Sequence, residues 1–217
     1  MQKKGYHIIL LFTAIAAASC SLCAQTIVAS QPGSNTYDLR NASICVDMDD
    51  HATVQLAAGF LQQDMEAVTG NRPEIKTSFK GCTGNIIIIG SLEKSAMIRE
   101  LLLQKKIRVD HLKDKWEAYQ VFTVNNPMKG VANALVITGS DRRGTAYGVF
   151  EFSKQLGVSP WYWWADVPVR KRTAILIKRG VVNDAPKVKY RGIFINDEAP
   201  CLSNWSREKF GGFNHRF

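Results

Sequence analysis

Four consecutive isoleucines, Ile86 to Ile89, constrain this chain more than any other feature. A half-exposed strand alternates apolar and polar residues. An unbroken β-branched run closed by Gly90 reads instead as a strand covered on both faces. The run therefore suggests a central place in a sheet, and the alternation of strands and helices up to about residue 180 makes one α/β sandwich domain. The flanking pattern agrees. Ile44 to Val46 reads as a short strand. Val54, Ala57, Ala58, Leu61, Met65 and Val68 recur at helical spacing over 52–68, with Asp50 placed to cap that helix and Gly70 to stop it. Ser95 to Leu103 predicts a second helix, with Ile98, Leu101 and Leu102 apolar. Tyr119 to Val124 and Ala134 to Thr138 predict strands, with a turn at Asn125-Asn126-Pro127. A third helix runs from about Arg143 to Leu156, its inward stripe made of Ala146, Val149, Phe150 and Leu156, and Gly157 ends it. Ala174 to Lys178 predicts another strand.

The ends of the chain read differently. Lys3 and Lys4, the apolar run Ile8 to Ala18 and the small residues Ser19 to Ala24 follow the order of a secretory signal peptide over 1–24. The apolar run is about half of the ~20 residues a bilayer span needs, so no transmembrane span is expected. Two processing routes stay open: cleavage after Ala24, or lipidation of Cys20 within Ala17-Ala18-Ser19-Cys20, a lipobox without its usual Leu. Either route predicts an exported, periplasmic or cell-surface protein. Residues 25–43 read as a turn-rich leader, the α/β domain extends over 25–183, and Asn183-Asp184-Ala185-Pro186 reads as a linker. A new unit starts at Lys187, with a strand over Val188 to Ile195 and the beginning of a helix near Ser206. One strand and part of a helix cannot bury a core, so the unit over 187–217 is expected to be incomplete.

Composition excludes several functional classes. The chain is 46% apolar and 22% charged, an ordinary globular balance. Its net charge falls from +9 to +7 once Lys3 and Lys4 leave with the signal. The basic residues are scattered apart from Arg170-Lys171-Arg172, which follows Pro168 and reads as a solvated turn. No helix interleaves a basic face with aromatics, so nucleic acid is not an expected partner. His7, His51, His111 and His215 lack metal-ligand spacing, and no metal or other cofactor is expected. Cys20 and Cys23 belong to the signal, which leaves Cys45, Cys82 and Cys201. Export permits a Cys45–Cys82 bridge, but spacing cannot establish one, and buried free thiols are the expectation.

Three places could carry chemistry. Asn196, Asp197 and Glu198 sit at the carboxyl end of an apolar strand, where polar groups are costly to bury and well placed to meet a ligand. Turn chemistry accounts for the same residues equally well. Trp161, Tyr162, Trp163 and Trp164 form an aromatic loop that ends at Asp166. Aromatic planes suit the apolar faces of sugar rings, and they also suit an interface between domains. Gly139-Ser140-Asp141-Arg142-Arg143-Gly144 lies where a phosphate loop would, but lacks the glycine and lysine pattern of one, so a tight strand-to-helix turn is expected.

The segments "IIIIGSLEKSAMIRELL" over 86–102, Lys115 to Tyr119, "LVITGSDRRGTAYGVFEFSKQLGVSPWYWWADVP" over 135–168 and "YRGIFINDEAP" over 190–200 resemble glycoside hydrolase family 115, the xylan α-1,2-glucuronidases. The resemblance implies an N-terminal α/β domain followed by the first strand of a (β/α)8 barrel. It further implies an inverting enzyme that removes glucuronic acid or its 4-O-methyl form from glucuronoxylan or its oligosaccharides. Family likeness maps substrate contacts onto Asp197 above all, with Asn196 and Glu198 beside it, and places Trp163, Trp164 and Asp166 near the cleft. Inversion needs both a general acid and a general base across the scissile bond. One strand end cannot supply both, so no catalytic residue is expected within these 217 residues and the chain itself is expected to be inactive. A carbohydrate-binding or scaffold module without catalysis, and a glycosidase of another family, are the alternatives.

Overall fold

A computed structural model describes residues 26–194, 196–197 and 202–214, without the side chains of Trp163 and Trp164. The proposed signal, Cys20, Glu198 and Cys201 lie outside the described residues. The chain divides into two compact units at Ala185/Pro186.

The first unit is built on a sheet of six strands in the order β3-β2-β4-β6-β5-β8. These are β2 (Ser43–Val46), β3 (Ile75–Lys76), β4 (Gly84–Ser91), β5 (Tyr119–Met128), β6 (Val131–Gly139) and β8 (Val181–Asp184). Strands β3, β2, β4 and β6 run parallel. Strand β5 is antiparallel to both β6 and β8. The isoleucine run lies in β4, between β2 and β6, and all four side chains are fully buried. Alternation across the pleat sends Ile87 and Ile89 into one core and Ile86 and Ile88 into the other. The first core is closed by α1 (Ala52–Thr69) and α3 (Arg142–Leu156). The second is closed by α2 (Ala96–Leu103). Each buried isoleucine contributes about 1.5–3 kcal/mol of transfer free energy, which is why this run dictates the layering.

Several expectations are corrected. Residues 25–43 are more than a leader: Ile27, Val28, Leu39 and Ala42 join the core. Strand β1 (Thr36–Asp38) pairs antiparallel with β7 (Leu176–Lys178) in a separate two-stranded ladder. The expected linker at 183–186 begins as strand β8, because the outer edge of β5 offers unpaired backbone groups and Val182 fills the core. The turn at Asn125-Asn126-Pro127 is absent. Strand β5 continues through it with a register shift, and the chain reverses at Lys129-Gly130, where Gly130 takes φ 87°. Phe150 is 46% exposed, and Phe152 fills the buried position instead. Arg170-Lys171-Arg172 is no solvated turn. Lys171 Nζ donates to the carbonyl of Ala67, Arg172 N to that of Val68, and Arg172 Nε and Nη2 to those of Leu156 and Gln155. Lys171 and Arg172 therefore satisfy the last carbonyls of α1 and α3 with cations at their negative ends.

The second unit, Pro186–Phe217, carries one regular element among its described residues, α5 (Leu202–Phe210). Trp205 packs edge-on against Phe210, ring centres 5.3 Å apart. Among the described residues, 188–194 pair with no neighbouring strand; Ile195, the end of the expected strand, lies outside them.

Candidate functional site

In open α/β sheets the carboxyl ends of parallel strands are the usual place for a ligand. Here that edge carries Asp47, Asp50 and Asp141, whose carboxylates are engaged in holding the fold. Asp47, after β2, accepts from the backbone N–H groups of Asp49 and Ala96, at 3.0 and 2.7 Å. Asp50 was expected to cap α1, but the residue preceding the helix is His51, whose side chain makes no cap bond. The Asp50 carboxylate accepts from His51 N at 2.7 Å, Ser91 N at 2.7 Å and Ser91 Oγ at 2.6 Å. It thereby ties the end of β4 to the start of α1. His51 Nε2 lies 2.8 Å from Glu93 on the exposed rim.

The third carboxylate, Asp141, settles the Gly139-to-Gly144 segment as a strand-to-helix turn. Its oxygens accept from Glu117 N, Arg143 N and Gly144 N at 2.6–2.9 Å. A Cβ on Gly139 would sit 2.0 Å from Thr145 N, and one on Gly144 would sit 2.2 Å from the carbonyl oxygen of Ala118. The backbones touch where a phosphate would need space. At the opposite end of β6, a groove of about 710 Å³ is lined by Gln104, Lys106 and residues 126–132 and contains no carboxylate. Among the described residues, no three His, Cys, Asp or Glu side chains converge as metal ligands.

The aromatic segment folds as one helical turn, α4 (Tyr162–Ala165), after Trp161. Trp161 is 63% exposed and Tyr162 45%. These two present the aromatic surface of the described side chains here, although the sequence reading favoured Trp163 and Trp164. Asp166 ends the turn in the left-handed region at φ 50° and is exposed.

In the second unit Asn196 and Asp197 are exposed. The Asp197 carboxylate accepts from Ser203 N at 2.9 Å and Ser203 Oγ at 2.5 Å, which anchors the first turn of α5. These bonds favour the ionised form and hold the Asp197 carboxyl below the usual carboxylate range.

Residues 183–217 match the model of glycosyl hydrolase family 115. A solved family GH115 4-O-methyl-α-glucuronidase, BtGH115A, with specificity for decorated arabinogalactans, is 31% identical over 81% of this chain, with a TM-score of 0.65. The chain is similar to glycosyl hydrolase family 115 in sequence and in fold. It spans 21% of the length of that solved relative. The structure of CpGH84D aligns over 72% of this chain and 23% of its own at 14% identity, with a TM-score of 0.43. The GH20 β-N-acetylhexosaminidase from Streptomyces coelicolor A3(2) aligns over 74% and 26% at 16% identity, with a TM-score of 0.40. Likenesses that remote carry no argument. No curated protein matches the chain.

Two comparisons carry the likeness to family 115. The alignment with the solved relative covers most of the chain, whereas the family model matches the stretch from Asn183 through Asp197 and α5. Sequence reasoning placed Asp50 at the start of α1 but missed the use of Asp47 and Asp141 as anchors of the α/β layers. The available signal was position: each follows a predicted strand and stands within a few residues of a helix start, as capping carboxylates do.

Proposed function

We propose that the chain is part of an exported, inverting glycoside hydrolase that removes glucuronic acid or its 4-O-methyl form from a decorated plant glycan, xylan in the first instance. Support comes from the likeness to family 115 and from the match that runs through the Asn196-Asp197 tip. Asp197, with Asn196 and Glu198, would orient the hydroxyls of the uronate, while Trp163, Trp164 and Asp166 would border the cleft. Among these residues no pair supplies both the acid and the base that inversion requires, so the 217 residues alone release no sugar. The 4-O-methyl-α-glucuronidase relative is specific for decorated arabinogalactans, which makes that glycan the competing substrate. The signal-like residues 1–24 support export, by cleavage after Ala24 or through a lipid on Cys20.

The test measures uronate released from glucuronoxylan and from decorated arabinogalactan by the longest reading frame containing this chain, and by residues 1–217 alone. Release by the longer product only, reduced at least about tenfold by Asp197→Ala, is the expected result. Equal activity with and without the Asp197 carboxylate would remove it from the site. A second reading, a carbohydrate-binding module, is favoured by the exposure of Trp161 and Tyr162. Xylan binding by residues 1–217 that disappears in Trp161→Ala would establish it.

A further inference from the structure

Two of the three cysteines after the proposed signal meet inside the first unit. Cys45 lies in β2, between β3 and β4, and is fully buried. Cys82 follows the turn in which its own N–H donates to the carbonyl of Phe79, two residues before β4 begins, and is 6% exposed. Their sulfurs are 3.3 Å apart, and both belong to the core cluster that holds Ile86 and Ile88. The Cys82 thiol also lies 3.6 Å from the Ser78 carbonyl. A disulfide requires the sulfurs to approach to about 2.05 Å, so about 1.2 Å of closure separates this thiol contact from a bond.

We infer that Cys45 and Cys82 are a dithiol–disulfide pair that closes in the folded protein and staples the α1 crossover to the centre of the sheet. The two residues are 37 positions apart, and the loop they would close contains α1 and β3. Strand β3 has two residues and pairs only with β2, at the edge of the sheet. It is the least secured part of the layer, and the bond would hold the chain on both sides of it. Closure breaks both S–H bonds and forms one S–S bond. The two electrons and two protons pass to a low-molecular-weight disulfide, which is reduced to two thiols. Burial, and then the neighbouring Cys82 thiol, push the Cys45 thiol above the ordinary thiol range, so thiolate is scarce and closure of the intact fold is slow. The inference stands on the geometry of the first unit and is independent of any activity.

The experiment incubates the whole chain, without denaturant, in oxidised glutathione or in dithiothreitol. Free thiols are then alkylated under denaturing conditions and the protein is digested with trypsin. The expected product of oxidation is a reducible linked pair of peptides, residues 41–76 joined to 81–94. It should be accompanied by a rise in Tm on the order of 10 °C over the reduced protein. Cys82→Ala should abolish both the link and the rise. Full alkylation of Cys45 and Cys82 after oxidation, separate glutathione adducts on each, or a link to Cys201 instead would overturn the inference. An unchanged Tm in the linked protein would overturn the stapling role. Peptide mapping on the unmodified sequence decides the question even if the variant fails to fold.

Discussion

The isoleucine run at 86–89 and the Tyr190-to-Phe194 segment have much the same appetite for a sheet, yet they end in opposite environments. All four isoleucines are fully buried, whereas Tyr190, Ile193 and Phe194 are 86, 81 and 91% exposed. The difference lies in the neighbours. Strand β4 has β2 and β6 beside it and a helical layer on each face. The unit holding Tyr190 offers one described helix and no ladder. β-propensity measures the fit of a side chain to a half-built surface, and without the surface it decides little.

Glycine substitution should sharpen that contrast most. A Cβ at Gly139 would enter the backbone at Thr145 N, whereas Gly192 has nothing within 4 Å. Gly139→Ala should cost at least about 3 kcal/mol of the first unit's stability in urea unfolding, or prevent folding. Gly192→Ala should stay within about 0.5 kcal/mol. A mild Gly139→Ala would mean that the β6-to-α3 turn is looser than its contacts indicate.

Core truncation comes next in size. Ile88→Ala should destabilise by about 2–5 kcal/mol, since β4 cannot collapse around the cavity with strands on both sides. Ile193→Ala should change stability by no more than about 0.5 kcal/mol. Similar values for the two would show that the 188–194 segment is packed in solution, and the comparison would fail.

Much of the fold was readable because its cues are local. The isoleucine run, the helical stripe from Val54 to Val68 and the stops at Gly70 and Gly157 each depend on a few adjacent residues, and both glycines do take the left-handed conformation. What escaped depends on distant partners. Ile27 and Leu39 join the core through β7, some 140 residues later. Strand β8 exists because β5 has a free edge. Arg172 is defined by two helix ends that no window around it contains. The candidate site was readable as a set of residue types at Asn196-Asp197 and Trp161-to-Asp166. That Asp197 would be engaged by Ser203 was not, because the two stand six positions apart in sequence.

The smallest effect concerns that engagement. With its pKa depressed in the fold, Asp197 secures the start of α5 fully above the ordinary carboxylate range, and the contribution disappears as pH falls through the lower folded value. An NMR titration of the Asp197 carboxyl carbon should therefore show a midpoint below that of an unstructured aspartate, and Ser203→Ala should raise it. A midpoint at the ordinary value in the unmodified chain would mean that the carboxylate does not hold Ser203. It would then be available to a sugar hydroxyl from the outset. If the depressed midpoint is found, a sugar hydroxyl meets a carboxylate already shared with Ser203, on the lone pairs its two oxygens have left. Ser203→Ala, which removes one competing donor without touching the carboxylate, should then strengthen uronate binding by the longer product rather than weaken it.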